Sequence, residues 1–321
     1  VDTVFAGRYR IVRRVGKGSM ATVYEALRLS DQNRVALKLM RKELADDPKA
    51  RHRFEREGKL GQSIKSEHVV RVLDFGVDAS TGAPYLCMEY VSADTLGDLV
   101  QAGPLDRELA AQVIRQLFDA VGAAHRAGVV HRDLKPDNVL LPALAPGSSP
   151  MVKVSDFGVA KSLHAASLVR TEAGLGTPLW TAPEQAKNGY VPSPVSDVWA
   201  LGLITYYVLT GRHYFKNAGE SGSIVALAQE LVHGPIEPAS RRGVEQGVSA
   251  RLPAGFDAWF AKMVNRDPAA RFPNADRAWT ALAPLLGLSG PRWSSRTLLL
   301  IAVGAGLVVV VIVASLALSV L

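Results

Sequence analysis

The chain has 321 residues and a formal charge of +7, with 48% hydrophobic and 21% charged residues. That apolar content excludes a disordered or low-complexity chain, and the length suits about two domains. The richest basic stretch (41–60) interleaves acids with its arginines and lysines, so no nucleic acid is expected as a partner, and a single cysteine, Cys87, excludes an intrachain disulfide framework.

Residues 9 to 40 alternate as strands do: "YRIVRRV", a glycine turn, "TVYEALRL", a polar turn at "SDQN", then "RVALKLM". The glycine turn belongs to "VGKGSMATVY" (15–24), where Ala21 stands in place of a third glycine of the pattern G-x-G-x-x-G. By itself that stretch fits a phosphate-cradling loop or a plain hairpin. A charged amphipathic helix is predicted from Pro48 to about Ile64, followed by strands "VVRVLDFGV" and "APYLCMEYV". Cys87 in the second of these reads as a small buried hydrophobe. Beyond Val91 the pattern turns helical. Residues 106–128 form a helix with Asp106 as N-cap and Gly128 as its stop. Residues 193–211 are apolar nearly all round, the mark of a central buried helix. Further helices are predicted over 221–233, 253–264 and 275–286, and a loop over 142–150.

From Leu298 to Leu321 the chain carries no charge. As a helix this stretch would extend about 36 Å, enough for a hydrocarbon core of about 30 Å. Arg292 and Arg296 precede it and nothing basic follows, so the positive-inside bias places residues 1–297 in the cytoplasm.

Four further motifs stand in order: "VALK" (35–38), "HRDLKPDN" (131–138), "DFG" (156–158) and "APE" (182–184). With the glycine-containing turn, these resemble the signature set of the eukaryotic-type protein kinases. The resemblance covers about residues 9–286. "GTPLWTAPEQ" and the trailing apolar segment look most like the bacterial receptor-type serine/threonine kinases. It implies an α+β, two-lobed fold: an N-lobe over 9–90 with a small antiparallel sheet and one helix, and a mostly helical C-lobe over 91–286. A juxtamembrane linker (287–297) and one transmembrane helix (298–321) complete the expected organisation. The implied activity is transfer of the γ-phosphate of ATP to serine or threonine hydroxyls of protein substrates, with Mg²⁺ (or Mn²⁺ as a substitute).

Phosphoryl transfer asks for positioning and for neutralisation of spread negative charge. On the resemblance, Val15, Gly16, Lys17 and Gly18 cover the phosphates, and Val23 and Ala36 enclose the adenine. Met88 is the gatekeeper, and the carbonyl of Glu89 and the N–H of Val91 face the adenine edge. Lys38 reaches the α- and β-phosphates. A buried lysine needs a carboxylate partner, and Glu57 matches the family's partner. Glu55, two residues away and on a different helix side, is the competing choice. Asp133 accepts the substrate hydroxyl's proton and Lys135 steadies the γ-phosphate. Asn138 and Asp156 supply hard oxygen ligands for Mg²⁺. A second "LDFG" at 73–76 lies ahead of the catalytic loop, so Asp74 receives no role. Asp197 is expected to hold the catalytic-loop backbone, Glu184 and Arg271 to form a buried ion pair, and His131 to be structural. Arg132 beside Asp133 implies control by activation-loop phosphorylation. Thr171 is the preferred site, Ser167 an alternative, and Ser162 and Thr177 further hydroxyls of that loop. A homodimer for trans-autophosphorylation and a lipid bilayer complete the expected partners.

Overall fold

The computed structural model describes residues 3–18, 20–142, 150–157, 178–187, 189–218 and 223–288. Six strands form an antiparallel sheet in the order β1-β2-β3-β4-β6-β5: β1 (Val4–Phe5), β2 (Tyr9–Lys17), β3 (Ala21–Arg28), β4 (Arg34–Met40), β5 (Val72–Val77) and β6 (Pro84–Glu89). One short helix, α1 (Lys42–Ala45), precedes α2 (Pro48–Ser63). Asp47 caps α2 by accepting from Lys49 N, and Pro48 occupies the first turn, where its missing N–H costs nothing. Ala50 and Phe54 of α2 pack on Ala21, Met40 and Leu86 of the sheet. Tyr9, Ala26, Val35, Leu37, Tyr85 and Cys87 fill the sheet's other side. Cys87 is fully buried, the small hydrophobe its surroundings suggested.

The helical part contains α3 (Leu96–Ala102), α4 (Arg107–Arg126), α5 (Pro194–Thr210), α6 (Ile224–His233), α7 (Ala239–Glu245), α8 (Phe256–Met263) and α9 (Ala275–Leu282). Asp106 caps α4, its carboxylate accepting from Leu109 N at 2.7 Å. Gly128 (φ +72°) and Gly211 (φ +71°) adopt the left-handed conformation that stops a helix and that a side chain disfavours. Every residue of α5 from Ser196 to Thr210 is buried, so the helix apolar all round is the axle of this region. Trp199, Ile204 and Tyr206 meet Phe118 of α4 and Phe260 of α8 in one core. A fully buried side chain of this size contributes about 1.5–3 kcal/mol.

The structure adds elements to the predicted set. Strand β1 precedes residue 9, so the small sheet begins earlier than expected. Strands β7 (Ala93–Thr95), β8 (Val139–Pro142) and β9 (Lys153–Val154) form a second sheet. Both β1 and this sheet are too short to show a two-residue alternation. Helix α3 begins with a reciprocal capping box: Thr95 Oγ1 accepts from Asp98 N at 3.1 Å, and Asp98 accepts from Thr95 N at 3.0 Å. The predicted helix over 275–286 ends at Leu282, and α7 lies in a stretch where none was predicted. Residues 298–321 lie outside the described residues. Among the described residues no helix is long and apolar enough to cross a membrane.

Candidate active site

Strand β4 carries Lys38 opposite Val23 of β3 and Leu86 of β6. Its Nζ lies 2.7 Å from Glu57 Oε1 on α2 and 2.8 Å from Asp156 Oδ1, just beyond β9. Glu57 is buried, and it is Glu57 rather than Glu55 that makes this contact with Lys38. Burial pushes the Lys38 ammonium toward neutrality. The Asp156 and Glu57 carboxylates outweigh that and hold it above the ordinary lysine range. Reciprocally, Lys38 holds the Asp156 carboxyl below the usual carboxylate range against the effect of burial, with a further contribution from Lys135. Lys38, Glu57, Lys135 and Asp156 thus share one charged locus.

The catalytic-loop motif is fixed from beneath by Asp197 of α5. Its carboxylate accepts from His131 N at 2.7 Å and Arg132 N at 2.9 Å. It also meets His125 Nε2 of α4 at 3.0 Å, while His125 Nδ1 accepts from Ala275 N of α9 at 3.2 Å. These bonds fix the tautomer: the proton is on Nε2 and points at the carboxylate. A buried carboxylate is tolerable when donors surround it, and three converge here. His131 is buried and structural: Nδ1 accepts from Asp133 N at 3.3 Å, Nε2–H donates to Ser155 O at 3.0 Å, and the ring lies 4.6 Å from that of Phe157.

Asn138 closes the loop. Its Nδ2 donates to Asp133 O at 2.7 Å, and its own carbonyl accepts from Ser155 N at 2.9 Å. The residue before Asp156 is therefore bonded to Asn138, which brings the two expected metal ligands together. An amide oxygen and a carboxylate are the hard donors that Mg²⁺ takes. Among the described residues no cluster of three His, Cys, Asp or Glu is poised for a metal, and this two-residue set fits an ion that completes its shell with phosphate and water. Arg132 (φ +68°) and Asp156 (φ +55°) both hold left-handed backbone, which costs about 1–2 kcal/mol per residue. Strain of this kind gathers where a precise side-chain direction is needed.

The glycine turn is closed by Gly18 N donating to Ala21 O at 2.9 Å. A Cβ at Gly16 would meet nothing within 4 Å, and one at Gly18 only Ala21 O at 3.5 Å. Nothing among the described residues requires glycine at either position; the open space above them suits a ligand's close approach. Ala21 is different: it is buried in the core beneath α2, so the absent third glycine is a packing choice. Val15 is half exposed, and Lys17 is exposed beside it.

At the connection between lobes, Glu89 N–H donates to Arg71 O at 2.9 Å, and its carboxylate meets Lys153 Nζ of β9 at 2.7 Å and Arg71 Nε at 3.3 Å. Sequence reading gave Glu89 only a backbone role and missed this anchor, as it missed His125. Glu184 and Arg271 form the expected buried pair through two bonds, 2.7 and 2.8 Å. Asp74 lies in β5, bonded to Tyr9 Oη at 2.9 Å and away from the site. Gly158, Ser162, Ser167, Thr171 and Thr177 lie outside the described residues.

The model of the protein kinase domain matches residues 9–276. Pkn1 of Myxococcus xanthus, named a serine/threonine-protein kinase, is 40% identical over 78% of this chain and 34% of its own length. PrkC of Bacillus subtilis and PknB of Mycobacterium tuberculosis, named likewise, are 33% and 36% identical over 84% of this chain and 39% and 41% of theirs. The chain spans about a third to two-fifths of the length of these curated relatives. The crystal structure of the PknI kinase domain of Mycobacterium tuberculosis shares the fold, with a TM-score of 0.65 at 22% identity over 89% of this chain and 98% of that one. The chain therefore belongs to the eukaryotic-type protein kinase family, with serine/threonine kinases of bacteria among its relatives.

Proposed function

We propose that this chain is an ATP-dependent serine/threonine protein kinase. The observation that carries the reading is Lys38 bridging Glu57 and Asp156 at 2.7 and 2.8 Å beside a catalytic loop fixed by Asp197. Lys38 holds the α- and β-phosphates, and Gly16 and Gly18 let backbone N–H groups approach them from above, with Val15 and Lys17 flanking. Val23, Ala36 and Met88 line the adenine site, and Glu89 and Val91 offer it backbone groups. Asp133 takes the proton of the serine or threonine hydroxyl as that oxygen attacks the γ-phosphorus and the bond to the β-phosphate oxygen breaks. Lys135 offsets charge on the moving phosphoryl group. Asn138 and Asp156 would hold Mg²⁺, which supplies charge neutralisation across the phosphates when bound.

Control by autophosphorylation at Thr171 or Ser167 belongs to the same proposal. What supports it is Arg132: among the described residues its Nε is buried without a hydrogen-bond partner, and burial together with nearby Arg56 disfavours its charge. A phosphate would answer both deficits. The charge-free stretch 298–321 supports a single-pass membrane anchor with the kinase domain on the cytoplasmic side, and phosphorylation in trans calls for a second copy.

Transfer of radiolabelled phosphate from Mg-ATP to the chain itself and to myelin basic protein tests the activity. Label on serine and threonine in the wild type and none in Asp133→Asn is expected; equal labelling, or none in either, overturns the reading. Phosphopeptide mapping checks Thr171 against Ser167. Carbonate extraction of membranes with and without residues 298–321 checks the anchor.

A further inference from the structure

Four side chains at the hinge end of the small sheet form a network that the catalytic roles leave unused. Glu25 of β3 is fully buried, and its carboxylate meets Arg13 of β2 at 2.8 Å and Arg34 of β4 at 2.6 Å. The register explains the meeting. Arg13 stands directly across from Glu25, and Arg34 lies two residues before Ala36, the cross-strand partner of Glu25. Because strand side chains alternate, Glu25, Arg34, Val23 and Lys38 share one face. The cluster therefore continues the row that carries Lys38 toward the hinge.

Both arginines then converge on Tyr90. Arg13 donates to its hydroxyl at 3.0 Å, and the Arg34 guanidinium lies 5.2 Å from its ring centroid. A carboxylate taken wholly out of water persists only when its charge is matched. One arginine would match it; two leave an excess positive charge, which the face of an aromatic ring attracts. Joining three strands would need no fourth group, whereas the contacts to Tyr90 tie the strands to the segment that follows β6. On the other side of that segment, Glu89 is held by Lys153 and Arg71. Consecutive residues are thus gripped from opposite directions, Glu89 by β9 and Tyr90 by β2 and β4.

We propose that Tyr90, held by the Arg13–Glu25–Arg34 cluster, is a positioning residue for the nucleotide: it fixes the backbone of residues 89–91 before ATP arrives. The proposal rests on the kinase reading and deepens its adenine site. Ordering that backbone in advance removes an entropic cost from binding, so the cluster governs nucleotide affinity and leaves the phosphoryl-transfer step alone.

The test compares wild type, Tyr90→Phe, Tyr90→Ala and Glu25→Gln in the full chain, by steady-state kinetics and by titration of a fluorescent ATP analogue. Tyr90→Ala is expected to raise KM for ATP and the analogue's Kd about tenfold, equivalent to about 1.4 kcal/mol. Its kcat and its KM for the protein substrate should stay at wild-type values. Tyr90→Phe keeps the ring over Arg34 and should recover most of the affinity, with a KM within about threefold of wild type. Glu25→Gln should raise KM for ATP and also lower Tm. A merely structural Tyr90 would move Tm and kcat without this split. Unchanged KM in Tyr90→Ala, or a fall in kcat at constant KM, overturns the proposal. A wild type that binds the analogue yet transfers no phosphate overturns the kinase reading, and Kd values equal in wild type and Tyr90→Ala then overturn the positioning role separately.

Discussion

The two sides of the site are held in different ways. Beneath the catalytic loop, Asp197 is buried on a helix buried all round, and its donors are mostly backbone groups. Across the cleft, Lys38 sits between two carboxylates, and the loop above it is open around Gly16 and Gly18. On the first side, stability and catalysis depend on the same atoms. On the second, they separate, because the groups that face a ligand do little of the packing.

Breaking the first side should have the largest effect. Asp197→Ala leaves three buried donors facing a void, and loss of about 3–5 kcal/mol is expected, with transfer abolished at any ATP concentration. Thermal unfolding and kcat measured together check this; a variant of wild-type Tm that has lost its activity would contradict the coupling. Lys38→Met should separate the two quantities: kcat falls about 10²–10³-fold for loss of a preorganised charge, while the fold is retained. Its stability deficit has a defined pH dependence. The Asp156 carboxyl is held below its ordinary value of 3.8 by Lys38, so the stabilisation is complete above that value and disappears as pH falls through the lowered one. The Tm gap between wild type and Lys38→Met should therefore be widest near neutrality and close in acid.

The smallest effect belongs to Ala21→Gly, which sharpens the comparison from the other direction. By sequence this position replaces the third glycine of the loop pattern. In the structure Ala21 packs on Phe54 and Met40, so the exchange should lower stability by about 0.5–1 kcal/mol and leave KM for ATP within twofold. A marked gain in kcat would mean that the methyl group obstructs the nucleotide after all.

What could be read from sequence follows from distance along the chain. Lys38, Asp133, Asn138 and Asp156 lie in local motifs, and α5 announces itself through an unbroken apolar run. The support of the site is not local. His125 is oriented by a backbone N–H on another helix, at Ala275. Glu25 finds Arg13 and Arg34 through a register that includes irregular steps in the β2–β3 pairing. Neither contact has a sequence signature, because each depends on which strands or helices become neighbours. The capping box of α3 was the exception: Thr95 and Asp98 show the required spacing, and the signal was open to reading.

The bond from Ala275 to His125 also bears on where the domain can be cut. Helix α9 contributes to the catalytic loop at one remove, since its first N–H holds the imidazole that faces Asp197. A fragment ending before residue 275 would keep every catalytic side chain and still lose the clamp on that ring. Helix α9 thus belongs with the loop it supports, although it lies past the last motif residue.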